Sequence, residues 1–285
     1  MSDFLAKTNL FTAGRFNLDP KSGGIRVPEW AFIPDGWSLT LLRGLGKLAH
    51  TWSEKCIWEV GVGTGINIAA LKYFTLNARW YFSDYNPKCV PLAMENILHV
   101  HPEDGTELFP LEGSWDLVTP PKEGNGLPPS VDIIFGCLPQ VPAEIDLAVG
   151  DRIAHYYHPS NYPEAHLNAI GLGLNEALLK RAKSVLRLPG LVILNLSGRP
   201  GIKRLFRLFY EAGYAPWVVH QENVPQHRGT SLATLATLES HGQENFEFFS
   251  DSAGNLRINA REAEMRRVAG KEVFHNIYVI AGKLA

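Results

Sequence analysis

The sequence predicts an α/β protein built on a mostly parallel, seven-stranded sheet with helices on both faces. Three observations predict it. From Cys56 onward, short apolar runs alternate with helical stretches, the pattern of βαβ units. A glycine-rich turn joins the first of these runs to the first of these helices. An acid, Asp84, then ends the second run.

In chain order, residues 1–50 carry the turn formers Gly14, Pro20, Gly23, Gly24, Pro28, Pro34 and Gly36, followed by the helical pattern WSLTLLRGLGKLAHTW. This reads as an irregular N-terminal segment with a helix leading into the core, set apart from a main domain over 51–285. CIWEV, RWYFSD, VDIIFG, LVILNL, PWVVHQ and NIYVIAG read as strands. INIAALKYF, PKCVPLAMENILHV, NEALLKRAKSVL and IKRLFRLFYEAG read as helices. Residues 225–272 are long for a simple connection and predict an insertion of two helical parts around a hairpin-like FEFFSDSAGNLRI. TPPKEGNGLPPS (119–130) reads as an exposed loop.

Composition excludes several classes. Among 285 residues, 45% are hydrophobic and 20% charged, so a core of useful size can be buried. The net charge of −2, without a basic stripe, argues against a nucleic-acid partner. Cys56, Cys89 and Cys137 form no Cys-x-x-Cys pair, and a sparse odd count fits a reducing cytoplasm rather than a disulfide framework. No secretory signal is visible and no apolar run approaches the roughly 20 residues of a membrane helix, so no membrane partner is expected.

The strongest local signal is Glu59-Val60-Gly61-Val62-Gly63-Thr64-Gly65. Glycines there let the backbone turn tightly and approach a ligand. A dinucleotide fingerprint reads G-x-G-x-x-G, whereas this stretch is G-x-G-x-G with an acid two residues before it. It resembles motif I of the class I, Rossmann-like S-adenosylmethionine-dependent methyltransferases, so the cofactor implied is S-adenosyl-L-methionine, with no metal. A purely structural turn is the alternative. Asp84 lies 19 residues after Gly65, where an acid can accept both ribose hydroxyls. Asp84 or Asn86 ahead of Pro87 could equally cap a helix. With Tyr85 and Asn86 this makes a cofactor-binding segment. Trp115 and Asp116, in EGSWDLV, fall where the class contacts adenine, with a plain turn as the other reading. Gly136-Cys137-Leu138-Pro139-Gln140 ends a strand and should lie beside the transferred methyl group. Nitrogen methyltransferases often have Asn-Pro-Pro-Tyr there, and this chain lacks that asparagine.

FIPDGWSLTLLRGL (32–45), EVGVGTG (59–65), SDYNP (83–87), GCLPQ (136–140), GLGL (171–174), GRPG (198–201) and FEFFSD (246–251) occur in order. Together they resemble the methionine S-methyltransferases, both the methyltransferase part of the plant enzyme and stand-alone bacterial forms that begin dimethylsulfoniopropionate synthesis. The resemblance implies methyl transfer to the thioether sulfur of L-methionine. A thioether carries no proton, so no general base is required and alignment with desolvation should dominate. Cation–π attraction could steady the moving positive charge. Candidates are Trp37, in a lip closing over the cofactor, and Tyr156 and Tyr157, although these aromatics could simply fill a lid. Ser38 could reach the cofactor carboxylate. The substrate carboxylate calls for a guanidinium fork, Arg199 first, with Arg152 and Arg26 as rivals. Pro139 and His275 complete the expected pocket. Asp151, His155, His158, Glu164 and His166 form a polar lid rather than a metal site, for want of a compact ligand set. Nitrogen methylation and a non-catalytic cofactor sensor stay open as alternatives, as does a homo-oligomer.

Overall fold

The computed structural model describes residues 8–12, 15–102, 107–111, 130–140, 142, 167–242 and 244–284. A two-strand hairpin, β1 (Phe11–Thr12) and β2 (Arg15–Phe16), opens the described chain, and α1 (Gly36–Leu48) follows. The α/β alternation then runs β3 (Cys56–Val60), α2 (Ile66–Leu71), β4 (Arg79–Ser83), α3 (Cys89–Val100), β5 (Leu108–Pro110) and β6 (Val131–Gly136). It continues with α4 (Gly173–Ala182), β7 (Leu186–Ser197), α5 (Ile202–Glu211) and β8 (Tyr214–Pro225). The insertion supplies α6 (Ala233–Ser240), β9 (Phe248–Phe249), β10 (Arg257–Ile258) and α7 (Ala260–Val268), before the final strand β11 (Phe274–Leu284).

Seven strands form the body of the sheet in the order β5-β4-β3-β6-β7-β11-β8. β5, β4, β3, β6 and β7 are parallel, and β11 runs antiparallel between β7 and β8. β9 and β10 raise the total to nine strands. Their hairpin is the FEFFSDSAGNLRI stretch. β9 pairs with Phe274, past the point where Ser197 of β7 pairs with Ile277. The strand order reverses between β3 and β6, so the crevice for a ligand lies outside the carboxyl ends of those two strands.

The central strands read as continuous apolar runs because both faces of a parallel sheet are covered. All five residues of β3 are buried. Alternation along the strands divides the core in two. Trp58, Ile134, Val192 and Leu194 pack with Leu178, Leu205 and Phe209 of α4 and α5. Ile57, Ile133, Phe135, Ile193 and Val279 pack on the other face with Leu41, Leu42 and Leu45 of α1, Ile68 of α2 and Ile97 of α3. Helix α1 starts at a capping box, in which the Asp35 carboxylate accepts from the N–H groups of Trp37 and Ser38 while Ser38 Oγ accepts from Asp35 N–H. Gly44 lets α1 lie close on the sheet, since a Cβ there would come within 2.7 Å of the Val279 side chain. Thr40 Oγ1 (2.9 Å) and Arg43 Nη1 (2.8 Å) both donate to the Glu222 carboxylate, which fastens α1 to β8. Helix α3 tolerates Pro91 because its first-turn N–H groups have no intrahelical partner. Among the described residues, no helix is long and apolar enough to cross a membrane.

Candidate active site

The turn after β3 is built by its own backbone. Gly61, Gly63 and Gly65 adopt φ of +75°, +53° and +76°, a region that L side chains rarely enter. The N–H groups of Gly61 (2.9 Å) and Val62 (3.0 Å) donate to Ser83 O at the end of β4. A Cβ on Gly65 would stand 2.9 Å from Ala93 Cα, so this glycine lets the turn pack against α3. A Cβ on Gly63 would meet nothing within 4 Å. That glycine faces open space, which leaves a cradle for a ligand.

Asp84 spans this cradle. Its Oδ2 accepts from Gly63 N–H and its Oδ1 from Asn86 N–H, both at 2.8 Å. Burial raises its pKa against the pull of those N–H groups. Asp84 borders the glycine turn, while Asn86 Oδ1 accepts from Lys88 N–H and its carbonyl from Cys89 N–H at the head of α3. Tyr85 is half-buried beside them. Glu59, 1% exposed, accepts from Asn67 Nδ2 at 2.6 Å through Oε1, while its Oε2 has no partner among the described residues. Burial pushes the Glu59 carboxyl up to about 8, with the Asp84 charge adding to the rise and the Asn67 bond opposing it.

Across the switch point stands the second half of the site. Gly136 ends β6 where a Cβ would meet Val60 O at 2.7 Å. Cys137 and Pro139 follow, both half-buried. Burial pushes the Cys137 thiol up to about 12. Asn195 Nδ2 donates to Trp37 O (2.9 Å) and Cys137 Sγ (3.3 Å), which joins the lip, the floor and β7 through one amide. Gln140 Oε1 accepts from Ser197 N–H at 3.0 Å. Arg199 donates through Nε to Ser197 Oγ (2.8 Å) and through Nη2 to Gln140 O (3.3 Å). No acidic side chain among the described residues pairs with this half-buried guanidinium, and burial lowers its pKa to about 10. Its sequence rival Arg26 is spoken for on the exposed surface, where its Nε donates to Glu95 at 2.8 Å.

His275 lies beside Arg199. The β7–β11 ladder ends at Ser197 and Ile277, and Gly198 N–H then donates to Asn276 O at 2.7 Å, so Arg199 and His275 come next on the two chains. His275 is 1% exposed, and neither ring nitrogen has a partner among the described residues. Burial, then the Arg199 charge, holds its pKa well below the ordinary value. The Trp37 indole covers it, with ring centroids 5.6 Å apart at 52°. Ser38 serves the capping box next to Trp37.

The structure thus brings Glu59, Gly61, Gly63, Gly65, Asp84, Tyr85 and Asn86 together on one side of the crevice. Trp37, Ser38, Gly136, Cys137, Pro139, Arg199 and His275 gather on the other. Trp115, Asp116, Tyr156 and Tyr157 lie outside the described residues, as do Arg152 and the polar-lid cluster. Sequence reasoning missed Asn67, Asn195 and Ser197, and gave Gln140 no role of its own. Asn195 had a signal, a lone amide inside the apolar run LVILNL.

No family model matches the chain. Among solved structures, the precorrin-6y C5,15-methyltransferase of Geobacter metallireducens aligns at a TM-score of 0.42 and 13% identity, covering 85% of this chain and 87% of that one. Methionine S-methyltransferase of Zea mays is 28% identical over 274 residues, and that of Arabidopsis thaliana 27% over 269. The same enzyme of Wollastonia biflora is 26% identical over 274 residues. The chain spans about a quarter of the length of these curated relatives (25% in each), while the matches cover 87–89% of the chain itself. By sequence along most of its length, then, this chain is similar to the methionine S-methyltransferases.

Proposed function

We propose that the chain transfers a methyl group from S-adenosylmethionine to the thioether sulfur of L-methionine, giving S-methylmethionine and S-adenosylhomocysteine. The observation that carries this reading is Arg199, a half-buried guanidinium without an acidic partner among the described residues, across the crevice from an open glycine cradle. A buried cation that no described acid compensates is stabilised by a ligand anion, and an amino-acid carboxylate supplies one. We further propose this step as an entry to dimethylsulfoniopropionate synthesis in a cytoplasmic setting.

The residues present fit the methyl donor. Gly63 leaves space where a side chain would stand, and Glu59 Oε2 is a buried acceptor awaiting a donor. When bound, S-adenosylmethionine supplies an electrophilic methyl group on a sulfonium. The Asp84 carboxylate accepts the Gly63 and Asn86 N–H groups and the Cys89 thiol, which leaves one oxygen with a lone pair for a ribose hydroxyl. The turn at Gly61 and Gly63 admits the methionine part closely. Trp37, whose carbonyl accepts from Asn195 Nδ2, would offer an aromatic face to the positive charge of the donor. Arg199 orients the acceptor, and orientation is the main contribution to a reaction with no proton to remove. Cys137, with its thiol held neutral, does not compete as a nucleophile.

The test is mass spectrometry of the purified protein incubated with S-adenosylmethionine and a mixed amino-acid pool. The expected product is one methyl heavier than methionine, with matching S-adenosylhomocysteine and a rate nearly flat from about pH 6 to 8. A rate that climbs with pH as a substrate ammonium ionises returns the reading to nitrogen methylation. Cofactor binding without turnover returns it to a sensor.

A further inference from the structure

His275 is a buried imidazole with both nitrogens unbonded among the described residues, beside Arg199 at the end of the β7–β11 ladder. A buried polar ring without partners loses its hydrogen bonds to water and gains nothing in return. Such an arrangement persists where a ligand completes it. Three facts say which ligand group. Burial and the Arg199 charge keep the ring neutral, so one of its nitrogens is an acceptor. Its cross-strand neighbour Arg199 takes an anion. Trp37 lies over the ring and favours a cation at its face. An anion and a cationic N–H donor on adjacent atoms, held by adjacent residues, describe the head of a free α-amino acid.

We propose that His275 accepts a hydrogen bond from the α-ammonium of the substrate, beside the carboxylate held by Arg199, so that the site selects free zwitterionic amino acids. This rests on the functional reading above and deepens it. Peptide-bound methionine, N-acylated methionine and simple dialkyl sulfides lack the ammonium and are disfavoured. With the head group anchored at both charges, side-chain length decides whether the sulfur reaches the methyl donor. S-methylcysteine, one methylene shorter, falls short.

The test titrates L-methionine and methylthiobutanoate, which differs only in lacking the ammonium, into the full chain saturated with S-adenosylhomocysteine, by calorimetry. The wild type is expected to prefer methionine by roughly 10- to 100-fold, the range for a hydrogen bond to a charged group. His275→Phe, of similar shape, is expected to bind the two within about twofold of each other. His275→Gln, which restores an acceptor, recovers part of the preference. A merely structural role would weaken both ligands together and leave their ratio unchanged. Equal binding by the wild type, or a preference surviving in His275→Phe, overturns the proposal. If the phenylalanine variant does not fold, the wild-type ratio and the glutamine variant decide the matter. Methyl transfer to methionine without any ammonium preference sinks the His275 role alone. Preferential binding of methionine without methyl transfer sinks the functional reading alone, and no methionine binding sinks both.

Discussion

Replacing Arg199 by methionine separates what the guanidinium does to the fold from what it does for the substrate. Burial lowers its pKa from 12.5 to about 10. The folded value is the depressed one, so the folded state holds this cation at a disadvantage at every pH below about 10, by on the order of 3 kcal/mol. Opposing this are the bonds to Ser197 Oγ (2.8 Å) and Gln140 O (3.3 Å), together worth about 2 kcal/mol. The difference favours the variant by about 1 kcal/mol, a rise in Tm of roughly 2–3 °C for a chain of this size. Methionine affinity moves the other way, by about 2 kcal/mol or more, some 30-fold, because the substrate carboxylate loses its counter-charge. Thermal unfolding by circular dichroism, with S-adenosylhomocysteine present and methionine absent or saturating, reads both effects. Methionine raises the Tm of the wild type more than that of the variant, by the equivalent of about 2 kcal/mol. A variant about 2 kcal/mol less stable with undiminished methionine affinity would refute the reasoning and make Arg199 a structural residue.

Three further outcomes are expected. Gly65→Ala places a Cβ 2.9 Å from Ala93 Cα at φ +76°, so denaturant unfolding should show a loss of about 2–4 kcal/mol; a neutral result means that the turn relaxes freely. Asp84→Asn should weaken S-adenosylhomocysteine binding by roughly 10- to 100-fold in calorimetry, and unchanged affinity removes Asp84 from the cofactor site. The Glu59 carboxyl is raised to about 8, so the folded state prefers its protonated form; the penalty is absent below about pH 4.5 and grows as pH rises towards about 8. Glu59→Gln should therefore stabilise at pH 7 by on the order of 1–3 kcal/mol and give no gain at pH 4, as urea titrations at the two pH values can check.

What was legible in the sequence followed from residues whose chemistry acts locally. The positive φ of Gly61, Gly63 and Gly65 leaves few substitutes, and an acid at the end of β4 has a known place relative to such a turn. The strands of the sheet interior announced themselves as apolar runs, because both faces are buried. β5 did not: it is three residues long, Leu108–Pro110, and exists through its pairing with Trp80, Tyr81 and Phe82. The partners of the site were harder still. Gln140 and Ser197 are 57 residues apart in sequence and meet through the neighbouring strands β6 and β7. Asn195 meets Trp37 from 158 residues away. The vacancy of His275 is a property of everything packed round it, and no local pattern encodes that.

The insertion before the last strand reaches the crevice through main chain. Glu247 N–H donates to Arg199 O at 2.8 Å, one residue before β9 joins the edge of β11 beyond the end of β7. Arg199 is thereby tied to the insertion at its carbonyl, while Gly198 just before it donates to Asn276 O in β11, and its guanidinium hangs from a peptide unit that the inserted hairpin holds in place. Under the proposed function, any change that shifts this hairpin, however remote from the glycine turn, would re-aim the substrate anchor while leaving the donor cradle as it was. On that reading, substrate choice would drift through the insertion independently of cofactor choice.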